Sequence, residues 1–150
     1  MDIGSGSGFP SASLSNFAPH PFIIDGIACS SMEGFLQSLK FSNPEMQKEV
    51  CKLVGKAAKF KGKKKKWWKT QTLYWQGKTM ARDSQEYQDL LDRAFEALSQ
   101  NSGFRAALLA TGSSVLAHSI GKTKITETVL TRQEFCSRLT KIRERIRKED

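Results

Sequence analysis

The chain has 150 residues, 39% hydrophobic and 26% charged, enough for one domain with a real core and no need of staples. No run of about 18 apolar residues occurs, so no membrane span is expected. The formal charge of +9 favours anionic partners such as nucleic acid, nucleotides or phosphates without choosing among them.

The first residues, M-D-I-G-S-G-S-G, lack the basic and apolar regions of a signal peptide. Residues 1–13 are rich in Gly and Ser and read as a flexible leader, with the domain itself spanning 14–150. L-S-N-F-A-P-H-P-F, 14–22, is a non-helical loop by its prolines. Phe22 to Ile24, Asp25-Gly26 and Ile27 to Cys29 predict a small hairpin. Residues 30–41, S-S-M-E-G-F-L-Q-S-L-K-F, predict a short helix with two faces. Met32, Phe35, Leu36 and Leu39 form an apolar stripe at i, i+3, i+4 and i+7. Glu33, Gln37 and Lys40 form a polar one. Ser30 and Glu33 also have capping-box spacing, so Glu33 has two readings: a cap for the Ser30 amide, or a cleft carboxylate.

After Pro44 the pattern predicts a helix over 45–60 with Met46, Val50, Leu53, Val54 and Ala57 inward. It runs into F-K-G-K-K-K-K-W-W-K, where Lys63, Lys64, Lys65 and Lys66 lie beside aromatic residues. Such a run suits nucleic-acid or phosphate contact, or is simply a solvated loop with the tryptophans turned inward. Q-T-L-Y-W-Q-G-K-T-M reads as extended, turning at Gly77. Asp83 with Glu86 caps the clearest helix, whose stripe is Tyr87, Leu90, Leu91, Ala94, Phe95 and Leu98. Asn101 and Gly103 close it, and Phe104 to Ala110 is a short buried helix stopped by Gly112. Val115 to Ala117 suits a strand. Thr131 with Glu134 caps the last helix, with Phe135, Leu139, Ile142 and Ile146 inward and a charged end that frays. The sum is a helix-rich α+β domain with a few short strands.

The three cysteines, Cys29, Cys51 and Cys136, are scattered, and His20 and His118 stand alone. Reduced thiols in a cytoplasmic compartment are expected, with no disulfide frame, no zinc site and no other metal.

Five pieces in this order resemble the YbiA-like family, the NADAR superfamily associated with NAD and ADP-ribose. They are L-S-N-F-A-P-H-P-F-I-I-D-G, S-S-M-E-G-F-L-Q-S-L-K-F, G-K-A-A-K-F-K-G, a tryptophan segment, and R-D-S-Q-E-Y-Q-D-L-L-D-R-A-F. The likeness covers about residues 14 to 145. It implies an N-glycosidase cleaving a ribose–nitrogen bond without a cofactor. Its substrate would be a small phosphorylated ribosyl or ADP-ribosyl compound, a riboflavin-pathway intermediate or an ADP-ribosylated guanine, free or within nucleic acid. Glu33 and Lys40 match the family's glutamate and lysine, Ser15, Asn16 and Phe17 its pocket loop, and Trp75 a pocket tryptophan. Gln37 would orient sugar hydroxyls. The chain departs from the family where many members carry an aspartate followed by Trp-Gly: A-T-G-S-S-V-L-A-H-S-I-G-K has neither, and His118 with Ser119 takes that place. The same pocket without chemistry would be a binder of ADP-ribose-like nucleotides. A third expectation is a nucleic-acid-binding module built on residues 60–69.

Overall fold

In the computed structural model, which describes residues 1–149, the order is α1 (Ser11–Leu14), β1 (Phe22–Ile24), β2 (Ile27–Cys29), α2 (Met32–Ser38), α3 (Pro44–Cys51) and α4 (Gly55–Lys63). A single 3₁₀ turn (Trp67–Lys69) follows, then β3 (Thr72–Trp75), β4 (Lys78–Ala81), α5 (Gln85–Leu98), α6 (Ser102–Ala110) and α7 (Arg132–Glu149). This is the helix-rich α+β arrangement that the patterning implied. Its strands form two separate antiparallel hairpins. Both hairpins turn on two residues with positive φ, Asp25-Gly26 and Gln76-Gly77, the geometry that matches the twist of paired strands.

The periodic helices bury the faces their sequences mark. All six stripe residues of α5 are buried, as are Phe135, Leu139, Ile142 and Ile146 of α7, Met32, Phe35 and Leu36 of α2, and Leu39 at its C-cap. Phe35 joins the hairpins to α2 through edge-on contacts with Phe22 at 6.3 Å and Trp75 at 5.1 Å.

Five details differ from the sequence expectation. The helix expected over 45–60 is two helices. Gly55 has φ +52, which an L side chain tolerates poorly, and the chain restarts there with a new phase. Ala57 is exposed in the new phase, Met46 and Val54 are exposed before it, and Gln47, Val50, Cys51, Ala58 and Gly62 face inward. The cap of α5 is Ser84 rather than Asp83, its hydroxyl accepting from the Tyr87 amide at 3.2 Å. Asn101 caps the start of α6 instead of closing α5. The charged end of α7 stays helical to Glu149, which pairs with Arg105 and Arg145.

The fifth difference is in residues 1–13, whose two ends are anchored at Ile3 and Ser11 while residues 5–9 are exposed. Ile3 is 1% exposed, its amide donates to Ala117 O at 2.8 Å, and Asp2 bridges Ala117 in parallel. The strand expected over Val115 to Ala117 reduces to that bridge. Asp2 also accepts from the Ser119 amide and hydroxyl, bonds that hold its carboxyl below the usual range.

Two buried polar groups tie the layers together. Gln47 is fully buried and its amide donates to Ser38 O at 3.2 Å and Tyr74 O at 2.7 Å, while its oxygen accepts from the Gln76 amide. One side chain thus ties the end of α2 to the second hairpin. Arg82, 1% exposed, makes a two-pronged pair with Glu134 at 2.6 and 3.1 Å and donates to Thr128 O at 2.9 Å. Glu134 accepts as well from the Thr131 amide, the reciprocal cap of α7 expected from sequence. Burial alone would raise the Glu134 carboxyl pKa, but bonds from Arg82, Thr131 and Gln88 outweigh it and hold the pKa down.

Removing one partner of such a pair leaves the other charge buried and alone. Glu134→Ala is expected to cost about 3–5 kcal/mol, read from urea unfolding at neutral pH. Because the folded pKa is depressed, this contribution is present above the unfolded carboxylate value of about 4.3 and is lost as pH falls through the folded one. An acid titration should therefore converge wild type and variant.

Candidate functional site

The site begins at the first turn of α2. Its cap is Ser31, whose hydroxyl accepts from the Gly34 amide at 3.1 Å and donates to Leu53 O at 3.0 Å. The box expected between Ser30 and Glu33 does not form, because the Ser30 amide is already taken by Cys51 O at 2.8 Å. Glu33 is thereby released from capping. Its backbone amide donates to Asn16 O at 3.0 Å, which seats the Ser15–Phe17 loop on the helix end. Its carboxylate accepts from Gln37 Nε2 at 2.8 Å, one turn along.

These groups open onto a cleft of about 490 Å³. Ser15, Asn16 and Phe17 form one side, with Glu33, Gln37 and Lys40 along its floor. His118, Gly121 and Lys122 stand across, next to the segment from Glu127 to Leu130. Lys59, Lys63 and Trp67 complete it from α4 and the turn after it. Four lysines, Lys40, Lys59, Lys63 and Lys122, thus face two carboxylates, Glu33 and Glu127, a net positive setting suited to an anionic ligand. Among the described residues no group of His, Cys, Asp and Glu is arranged to hold a metal ion.

The two ionisable groups of the floor perturb one another. Burial pushes the Glu33 pKa up, against the Gln37 bond and the charges of Lys40 and Lys59, which pull it down. Burial pushes the Lys40 pKa down, Glu33 opposes this and Lys122 adds to it. Each ends nearer neutrality than a free side chain, the condition for proton transfer at ordinary pH.

His118 is held by its Nδ1 contact with Ile3 O at 2.8 Å and by an edge-on contact with Phe135 at 5.2 Å. Arg132 donates to Ser119 O at 2.6 Å and to Gly121 O. The far wall thus rests on the N-terminal residues and the start of α7.

Of the residues singled out in sequence, Ser15, Asn16, Phe17, Glu33, Gln37, Lys40, Lys63 and His118 meet in this cleft. Trp75 does not. It is buried in the core, where its indole donates to Asp25 Oδ2 at 2.8 Å. The tryptophan of the cleft is Trp67. Lys64, Lys65 and Lys66 also lie outside the lining, with Lys65 placed 5.0 Å over the Phe41 ring. Sequence reasoning passed over Lys59, Trp67 and Lys122. A signal existed for the first two: Lys59, Lys63 and Trp67 recur every four residues, on one side of a helix. Lys122 had none, since it lies in irregular chain.

The family model for Bacteriophage protein GP30.3 matches residues 8–144. The chain belongs to the GP30.3 family. A relative from Enterobacteria phage T4, "Uncharacterized 17.1 kDa protein in Gp30-rIII intergenic region", is 42% identical over 150 positions, covering 96% of this chain and 97% of that one. The NMR structure of E. coli YbiA superposes on this GP30.3-family chain with a TM-score of 0.65 and 20% identity, over 99% of this chain and 85% of YbiA. The fold is YbiA-like, as the sequence motifs implied.

What sets the Glu33 carboxylate in place is Gln37, and what makes room for Gln37 is Gly62 of α4. A Cβ at Gly62 would stand 1.8 Å from Gln37 Oε1, itself buried and without a partner. Gly62→Ala is expected to cost about 1–3 kcal/mol by overpacking, read by urea unfolding. It should also displace the Gln37 carboxamide. Losing a bond to the charged form raises a carboxyl pKa, so the Glu33 carboxyl should titrate higher still by NMR.

Proposed function

We propose that this chain is an N-glycosidase acting on a phosphorylated ribosyl or ADP-ribosyl substrate, such as a riboflavin-pathway intermediate or an ADP-ribosylated guanine. The observation that carries the proposal is that Glu33 and Lys40 share one lysine-rimmed cleft, with Gln37 bonded to Glu33 between them. The YbiA-like fold supports the same reading.

Cleaving a ribose C–N bond builds positive charge on the sugar carbon as the bonding pair leaves with nitrogen. A carboxylate beside that carbon stabilises the charge and takes a proton from the attacking water, while the leaving nitrogen gains one. Glu33 fills this role. Gln37 occupies one of its oxygens and fixes its direction. Lys59, Lys63 and Lys122 meet the phosphates. Phe17 and Trp67 offer apolar surface to a base or sugar ring.

Lys40 has two chemically distinct uses. As a neutral amine, favoured by its lowered pKa, it forms an imine with the C1 aldehyde of the opened sugar and releases water. As an ammonium it holds an anion or assists the leaving group. Borohydride trapping separates them: a mass adduct on wild type, absent in Lys40→Arg, marks the imine, and full activity in Lys40→Arg with no adduct marks the charge.

Incubation with ADP-ribosylated guanosine should release guanosine and ADP-ribose, and incubation with ribosyl intermediates of riboflavin synthesis should release the free heterocycle and the ribose phosphate. Glu33→Gln should lower the rate by about 10²–10⁴. The acid limb of kcat/KM should lie above the ordinary carboxylate value of about 4.3, because activity appears as Glu33 ionises through its raised pKa. Equal rates for wild type and Glu33→Gln on every substrate would overturn the proposal. Tight nucleotide binding with no turnover would make the cleft a non-catalytic ADP-ribose-type binder.

A further inference from the structure

We propose that the exposed side of α4 and the turn after it is a docking surface for single-stranded polynucleotide running past the mouth of the cleft. Four observations lead there.

First, no Asp or Glu occurs between Glu49 and Asp83, a stretch that contains the eight lysines from Lys56 to Lys69. All eight are exposed, and among the described residues none forms an ion pair. Second, the rest of the chain is close to charge balance: residues 50–82 hold 11 of the 24 Lys and Arg and none of the 15 Asp and Glu, which leaves 13 against 15 elsewhere. Excess positive charge is therefore concentrated in this segment, and it attracts a polyanion by releasing its counterions.

Third, the face carries apolar rings where a purely solvating lysine run would have none. Phe60 is 56% exposed, with Lys56 and Lys64 one helical turn to either side, and Trp68 is 53% exposed with Lys69 Nζ 5.8 Å above it. Neither ring has a core to fill; the inward ring of this segment is Trp67, 7% exposed. Exposed rings among cations can stack on unpaired bases, which a duplex keeps inside its own stack. Fourth, Lys59 and Lys63 belong both to this helix and to the lining of the cleft. A strand held along α4 therefore passes the cleft mouth.

This surface is independent of the chemistry assigned to the cleft, and its test is too. The probe is a labelled oligothymidylate about 16 nucleotides long, followed by fluorescence anisotropy over a salt series. Log affinity should fall linearly with log salt, by about 0.7 for each phosphate neutralised. Lys64→Glu with Lys66→Glu should weaken binding at least tenfold and flatten that slope. Phe60→Ala with Trp68→Ala should weaken it about 5- to 100-fold while leaving the slope unchanged, since stacking releases no counterions. These positions are exposed, so circular dichroism melts should match wild type. Glu33→Gln should bind the oligonucleotide like wild type, whether or not it loses turnover. Three results would each overturn the proposal: no binding at low salt, affinity unmoved by both double variants, or binding of phosphatidylserine vesicles in preference to the oligonucleotide.

Discussion

The constraint on which the site depends is the double burial of α2. One side of this short helix supplies Phe35, Leu36 and, at its C-cap, Leu39 to the core, and the other is pressed against α4 across Gly62. A helix gripped on both sides cannot turn its polar stripe freely into water. Glu33 and Lys40 therefore sit where burial penalises both charges and their mutual attraction only partly restores them. The same grip leaves Gln37 no direction except toward Glu33. Packing density, more than any single bond, gives the polar row its chemistry.

The remaining wall of the cleft is irregular chain, which has to be held by bonds from elsewhere. Residues 1–3 pair with Ala117 and His118, Asp2 takes up Ser119, and Arg132 grips the carbonyls of Ser119 and Gly121. Further along, Arg82 and Tyr87 hold Thr128 and Val129 by their carbonyls. Loop backbone that approaches a core must find partners of this kind, because an unpaired buried carbonyl is costly. The far wall is thus built mostly from long-range contacts, and the GP30.3-family chain encloses its cleft with its N-terminal residues and two arginines.

Periodicity was readable wherever a helix kept one phase against one core. The six-residue stripe of α5 and the four-residue stripes of α2 and α7 were legible for that reason, as was the first hairpin from its Asp-Gly turn. The α3–α4 break was not, because a single glycine with positive φ resets the phase without an unusual composition. Trp75 was misplaced for a related reason: it lies beside the β3–β4 turn, and only the tertiary packing seals its ring in the core while Trp67, also buried, borders the cleft. Gln47 gave no signal at all. A buried glutamine becomes structural only once three carbonyl or amide partners from distant chain surround it.

The sequence alone determined the class of fold, the two faces of α2, the non-helical stretch before the first hairpin and the basic stretch that follows, because each rests on local spacing, turn residues and charge. Only the tertiary structure decided that Ser31 and not Ser30 caps α2, freeing Glu33 for the cleft. It decided also that residues 1–13 are anchored to the scaffold at Ile3 and Ser11 and that Trp67 lines the site. Those outcomes turn on which backbone groups are already engaged by distant segments, a competition that no local pattern encodes.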